Sequence, residues 1–446
     1  MEKEKKMKNK SNENESSRAF KWFHATSMPG GAMIISAVIA SYFATFMTDT
    51  MLLPAGVCSI IMLVATLWDA INDPIMGVIA DHTNTRWGRY RPYFLVAPIL
   101  LFVFSTLLWL NPNFSQTGKI AWVLVMYIGW GMTVTLYTMP HGAILPACVK
   151  SNGERNKIVS MGAGCTALAF AIGSTVPSLS HTGYIPIMVV CNLLACISFW
   201  GLFGTAKEKY IQKPEEVQKG TLLKVLKHYE LIPYILIWIL ASISYGLMFS
   251  SSVYYITYVT GKPQMIGLYM AIISVGAFVS MAVLMPIFLK VFNGGHKALM
   301  ASSIGSIICY AVLFFFGQSS LSFLFVMTFV ATAVASMSNA LTIVLVNDAI
   351  DYVRLKDGFY ANGVIASIKG FAQKCGTTVV SSGLLAVLAA SGYVPNQPQS
   401  ERALNAINFV RFGAPALVSV LIIICLLFNP VEKVKDQIQK MKEELS

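Results

Sequence analysis

The chain has 446 residues, of which 55% are hydrophobic and only 12% charged, and its mean hydropathy is +0.62. Soluble domains carry about a quarter charged residues, so a soluble enzyme or nucleic-acid-binding domain is excluded and a membrane protein is implied. The net charge of +12 needs no nucleic acid to explain it, because of where the bases fall. In chain order, Met1–Ser17 is a polar Lys/Glu/Asn tail without the short apolar core of a cleavable signal. Twelve apolar runs follow, each of roughly 18 residues or more, at 28–48, 57–80, 93–110, 119–147, 158–180, 184–205, 231–258, 265–289, 297–316, 321–348, 361–390 and 407–428.

The loops between runs are short except for 207–230, which begins Lys-Glu-Lys-Tyr-Ile-Gln-Lys-Pro-Glu-Glu and follows the sixth run. The chain therefore divides into a tail (1–27), a six-helix bundle (28–206), a linker (207–230), a second six-helix bundle (231–428) and a second tail (429–446). Within the linker, Gly-Thr-Leu-Leu-Lys-Val-Leu-Lys from Gly220 has the pattern of a short amphipathic surface helix. Lys and Arg gather in the tails, the linker and the loops after the second, fourth, eighth and tenth runs. Only Lys119, Lys262, Lys369, Lys374, Arg402 and Arg411 lie elsewhere. That bias places both termini and the linker in the cytoplasm, in a plasma (inner) membrane whose anionic leaflet faces the basic excess. The cysteines lie mostly in apolar runs without metal-ligand spacing. Cys191 and Cys196, the nearest pair, read as small core residues.

The second run carries charge where charge is costly. Asp69 and Asp73, in Leu67-Trp-Asp-Ala-Ile-Asn-Asp-Pro74, are four residues apart and so share a helix face, one turn from each other. A carboxylate at membrane depth is unfavourable unless paired or wetted, which makes it a functional candidate by default. Carboxylates give Na+ the hard oxygens and the neutralising charge it prefers, and a close pair holds a proton as readily. Asn72 adds an amide oxygen beside them, and Pro74 frees a backbone carbonyl near Ala70. The pair reads as a cation site, with Na+ or H+ as its occupant.

Two further motifs rhyme between the halves. Asp81-His-Thr-Asn-Thr-Arg86-Trp-Gly-Arg89-Tyr-Arg91-Pro follows the second run, and Asp348-Ala-Ile-Asp351-Tyr-Val-Arg354-Leu-Lys closes the tenth. Each sets acids before bases at a cytoplasmic helix end. Together with Arg155 they form a candidate cytoplasmic gate, whose ion pairs hold the halves together when the cavity opens outward.

The run Trp68-Asp-Ala-Ile-Asn-Asp-Pro-Ile-Met-Gly77 followed by Arg86-Trp-Gly-Arg-Tyr-Arg-Pro92 resembles the signature of the glycoside–pentoside–hexuronide:cation symporters, the melibiose permease family. Gly131-Met-Thr-Val-Thr135, Val253-Tyr-Tyr-Ile-Thr-Tyr-Val-Thr-Gly261, Asp348-Ala-Ile-Asp-Tyr352 and the lysine of Ala372-Gln-Lys-Cys-Gly376 match as well, so the resemblance covers both halves. It implies an all-α membrane protein of twelve transmembrane helices in the major facilitator fold, with two pseudo-symmetric six-helix bundles. It further implies a monomer that imports a small molecule by alternating access, coupled to Na+, H+ or Li+. By the same resemblance Asp69 and Asp73 are cation ligands, Asn72 tunes cation choice and Thr135 supplies a hydroxyl from the fourth run. Lys374 matches a buried lysine, expected to neutralise the aspartates when the cation is absent.

The cargo side departs from the family. An aspartate of the first run falls at Met33, preceded by Ala32 where a lysine would stand, and a second falls at Thr138. A sugar-stacking aromatic corresponds to Gly142, and an arginine to about Ala163. A pocket that has lost these acids suits an anionic glycoside, a hexuronide or a substrate with a large apolar part. Met33, Thr138, His141, Tyr254 and Tyr255 are the candidate substrate contacts. The expected function is cation-coupled symport of a glycoside, pentoside or hexuronide. One competing reading keeps the mechanism but changes the cargo to an amphipathic lipid, steroid or glucuronide-type conjugate. Another, a non-transporting membrane sensor, leaves Asp69, Asp73 and Lys374 without a purpose. Histidines are few and dispersed, and there is no phosphate-binding glycine loop or zinc spacing, so neither an enzyme nor a cofactor beyond the coupling cation is expected.

Overall fold

The computed structural model describes residues 16–179, 183–210, 224–225, 227–358, 361–434 and 437. Among them eleven helices are long and apolar enough to cross a membrane, and one further apolar helix is shorter. In chain order they are α1 (Arg18–Thr50), α2 (Ala55–His82), α3 (Arg91–Leu107, the shorter one), α4 (Gln116–Cys148), α5 (Asn152–Leu179) and α6 (Tyr184–Thr205). The second set is α7 (Tyr229–Val259), α8 (Pro263–Val291), α9 (Gly295–Phe316), α10 (Leu321–Asp357), α11 (Asn362–Ser391) and α12 (Glu401–Leu427). No β-strand forms among the described residues. Hydrocarbon offers the backbone no water, and helices satisfy their own N–H and C=O groups.

Two helices extend furthest beyond their apolar runs, each for a local reason. α1 begins at Arg18, ahead of the run at Met28, because the Ser17 side chain accepts from the Phe20 N–H (3.1 Å) and caps the added turns. Those turns bury Phe20, His24 and Ala25. α10 continues past Asp348 to Asp357 and stops at Gly358, whose φ of +74° only glycine adopts freely. Asp348, Asp351 and Arg354 are therefore helical. Most of the linker segment from Gly220 lies outside the described residues.

Two compact units emerge. The first joins Met1–Ile39 to Val64–Glu215. In it α3 packs on α4 and α6, while the early turns of α1 pack on α5 and α6. Gly31 approaches the Ala195 backbone so closely that a β-carbon would not fit, the small-residue contact on which membrane helices pack. The second unit joins Ala40–Leu63 to Glu216–Ser446. There α7 packs on α10, α11 and α12, and α9 packs on α10 and α12, around Trp238, Leu299, Leu341 and Tyr352. This unit also buries Arg411 completely, with its Nε and Nη2 donating to Tyr269 Oη at 3.2 and 2.9 Å.

Candidate functional site

α2 has two faces. Ile60, Leu63, Leu67, Ile71, Ile75 and Ile79 are exposed in steps of three and four, which is the pattern of a lipid-facing stripe. Asn72 and Met76 are buried away from it, and Asp69 and Asp73 are half-buried.

α4 meets the two acids in register. Thr135 Oγ1 donates to Asp73 Oδ1 at 2.8 Å. One turn earlier, Gly131 lies against Asp69, where a β-carbon would overlap the Oδ1 atom. The step is four residues on both helices, so α2 and α4 run parallel here and each acid has its own partner on α4. Another turn earlier, Tyr127 lies within range of the Asp69 charge. Asn72 is only 4% exposed, and its Nδ2 has no hydrogen-bond acceptor among the described residues. Amide O and N are exchangeable by a half-turn of the side chain, so this group can turn an oxygen to a cation.

Two carboxylates, a hydroxyl and an amide make a set of hard oxygens with a formal charge of −2. No group of three or more His, Cys, Asp or Glu that could hold a metal ion occurs among the described residues. Oxygen donors of this kind suit a hard cation or a proton and not a soft, thiolate-seeking metal. Lys374 lies on α11 in the second unit, half-buried, and its carbonyl accepts from the Thr377 and Thr378 hydroxyls at 2.9 and 2.8 Å.

Of the candidate cargo residues, Met33, Thr138 and His141 belong to the first unit and Tyr254 and Tyr255 to the second. Met33 and Thr138 are half-buried, and the Thr138 hydroxyl is turned back onto the Val134 carbonyl (2.6 Å). His141 is buried, with its Nε2 at 3.0 Å from the His24 carbonyl oxygen and its ring against those of His24 and Phe94. Tyr254 and Tyr255 are fully buried; Tyr254 Oη pairs with Thr48 Oγ1 (3.0 Å), and Tyr255 packs edge-on to Phe412. Beside Gly142, by contrast, there is open space.

The candidate gate residues of the first unit are held locally. Arg91 Nε donates to the Phe203 carbonyl (3.0 Å), and its guanidinium lies over the Phe203 ring. Arg86 lies over its neighbour Trp87, and Arg155 Nε caps α4 through the Val149 carbonyl (2.7 Å). The side chain of Asp81 lies outside the described residues. Asp348, Asp351 and Arg354 are half-buried on α10 in the second unit.

A residue that sequence reasoning passed over organises this end of the first unit. The Glu208 carboxylate accepts the backbone N–H groups of Arg89 (2.8 Å), Tyr90 (2.9 Å) and Arg91 (3.0 Å), capping the start of α3. Gly88, with φ +115°, passes so close that a β-carbon would strike that carboxylate. An acid between two linker lysines gives no sequence signal for such a task. Glu208→Ala leaves three amide donors uncapped, and it is expected to destabilise the protein by about 2 kcal/mol. A drop in detergent melting temperature with cation binding retained checks this; an unchanged midpoint contradicts it.

Comparison with known proteins gives a consistent picture. A family model described as MFS/sugar transport protein matches residues 26–433. An isoprimeverose transporter from Lactiplantibacillus pentosus is 27% identical over 417 residues, covering 90% of this chain and 86% of that one. A glucuronide carrier protein homolog from Escherichia coli (strain K12) is 23% identical, with 89% of each covered. Among solved structures, a D-xylose–proton symporter superposes with a TM-score of 0.63 at 15% identity, over 91% of this chain and 96% of that one. At that identity the likeness speaks for the fold alone.

Proposed function

This chain belongs to the MFS/sugar transport protein family, and we propose that it carries a glycoside, pentoside or hexuronide inward by symport with Na+ or H+. Family membership makes it a multi-pass membrane transporter and not an enzyme. The coupling cation is our inference. It rests on one observation above the others, the registered contact of Asp69 and Asp73 with Gly131 and Thr135.

In this reading the cation binds the two carboxylates with help from the Thr135 hydroxyl and the Asn72 amide. Thr135 also fixes the Asp73 rotamer, so the ligand geometry is set before the cation arrives. When the site is empty, Lys374 supplies the balancing charge, as the resemblance implies. Cation and cargo then favour the same conformation, and each raises the affinity for the other by the same factor. An anionic cargo is favoured by the loss of acids at Met33 and Thr138, and the glucuronide carrier homolog among the relatives is in keeping with it.

The open space beside Gly142 supports a second reading, in which an amphipathic conjugate fills what a stacking aromatic would occupy. One experiment separates the two. Thermal-shift screening of pentosides, hexuronides and amphiphilic glucuronides, each with and without Na+, should show a Na+-dependent shift for a hydrophilic glycoside or hexuronide. A shift confined to the amphiphiles would favour the second reading. No Na+ or pH dependence for any ligand would remove the cation coupling.

A further inference from the structure

Arg411 falls about one turn into the last apolar run and is buried completely in the second unit. Its Nε and Nη2 both donate to Tyr269 Oη, and that oxygen also accepts from Thr328 Oγ1 at 3.3 Å. Nη1 has no hydrogen-bond acceptor among the described residues. No ion pair among them involves Arg411 either. The rings of Phe412 and Tyr269 lie 4.9 and 5.4 Å from the guanidinium carbon, which eases the charge but does not balance it.

A guanidinium keeps its proton in proteins, so Arg411 brings a full positive charge out of water. Without a counter-charge that burial is costly. Tyr269, a neutral phenol already accepting three hydrogen bonds, supplies none. Water would satisfy Nη1 and leave the charge as it is. The position calls for an anion.

A second group points the same way. Tyr255 on α7 is fully buried, its Oη has no hydrogen-bond partner among the described residues, and it lies within range of the Arg411 charge. Phe412 packs edge-on to the Tyr255 ring at 4.9 Å, which sets these stretches of α7 and α12 side by side. Each stretch is a widened helical turn. The Thr260 N–H bonds the Tyr255 carbonyl (3.2 Å), and the Ala414 N–H bonds the Phe409 carbonyl, five residues back in both cases. Turns of this kind are frequent at functional sites.

We propose that Arg411 Nη1 and the Tyr255 hydroxyl are the donors of a buried site for a small monovalent anion of the halide class, chloride above all. Arg411, Tyr255 and Tyr269 expose no surface, a setting that excludes a sugar-sized ligand and suits a single small charge. The anion is a resident counter-ion, tying α12 to α7 and, through Tyr269, to α8. The site depends on neither the coupling cation nor the cargo, and it gives Tyr255 a task other than cargo contact.

The test uses the full-length protein in lipid nanodiscs, in sodium chloride, bromide or gluconate at equal Na+ and ionic strength. Wild type should bind about one radiolabelled chloride per chain, displaced by bromide and not by the bulkier gluconate, and its melting midpoint should rise saturably with chloride. Arg411→Met should lose both the binding and the rise. Its midpoint in gluconate should equal or exceed that of wild type, because an apolar side chain replaces an uncompensated charge. Tyr255→Phe, which keeps the ring packing, should weaken chloride binding by about tenfold. Equal wild-type midpoints in chloride and gluconate with no bound label, the result expected of water alone, would overturn the site. So would undiminished chloride binding in Arg411→Met or, if that variant fails to fold, in Tyr255→Phe.

Discussion

Replacing Asp73 by Asn is expected to abolish Na+-driven accumulation while leaving the folded, inserted protein intact. The substitution removes one unit of charge and almost no volume, and the new amide oxygen can still accept the Thr135 hydroxyl that Asp73 Oδ1 accepts at 2.8 Å. What is lost is electrostatic. With one carboxylate instead of two, a cation must leave its hydration shell for half the compensating charge, and affinity should fall by about 100-fold or more. Downhill exchange of cargo should persist, because the cargo contacts are untouched. The measurement is uptake against a gradient in proteoliposomes, paired with equilibrium exchange. Full uphill uptake by Asp73→Asn would sink the cation-site assignment.

Gly131→Ala should weaken cation binding without any change of charge. A β-carbon at 131 overlaps Asp69 Oδ1, so either the carboxylate leaves its rotamer or α4 backs away from α2. Overpacking of this kind costs typically 1–3 kcal/mol, about a 5- to 150-fold loss in cation affinity if it falls on the bound state. Helix propensity acts in the opposite direction, since alanine is favoured over glycine in a helix by about 1 kcal/mol. The two effects separate in one melting experiment. The variant should be as stable as wild type without Na+, or more so, yet lose most of the Na+-induced rise. Gly142→Ala, on the same helix with open space before its β-carbon, is the matched control and should keep the full Na+ response. An undiminished Na+ response in Gly131→Ala would mean that Asp69 does not depend on that close approach.

The helical architecture was legible because the bilayer imposes a length and a polarity on each span, and 446 residues at +0.62 mean hydropathy have no soluble alternative. The Asp69/Asp73 pair was legible for the same reason, as charge inside an apolar run. Thr135 is singled out only by the resemblance, and Gly131 stands in the same motif with no chemistry of its own to mark it. Its spacing of four from Thr135, equal to that of the acids, was the available clue. Glu208 could not be picked out. It caps amides far away in sequence, a relation that leaves no local pattern. Helix ends were least legible where a cap overrides hydropathy, as at Ser17 and Gly358.

The matched spacing on α2 and α4 also has a mechanical side. Sliding α2 along α4 by one turn, about 5.4 Å, would set Asp69 beside Thr135 and Asp73 beside Met139, a thioether with nothing to donate. Smaller slides would drive the Asp69 carboxylate over a backbone that admits it only at Gly131. The two helices are thus keyed like a shaft in its hub: free to swing together as one piece, but not to piston past each other. Whatever motion the protein makes must hinge around this pair and leave it whole, so a cation held there, as we propose, would sit in a seat that does not deform.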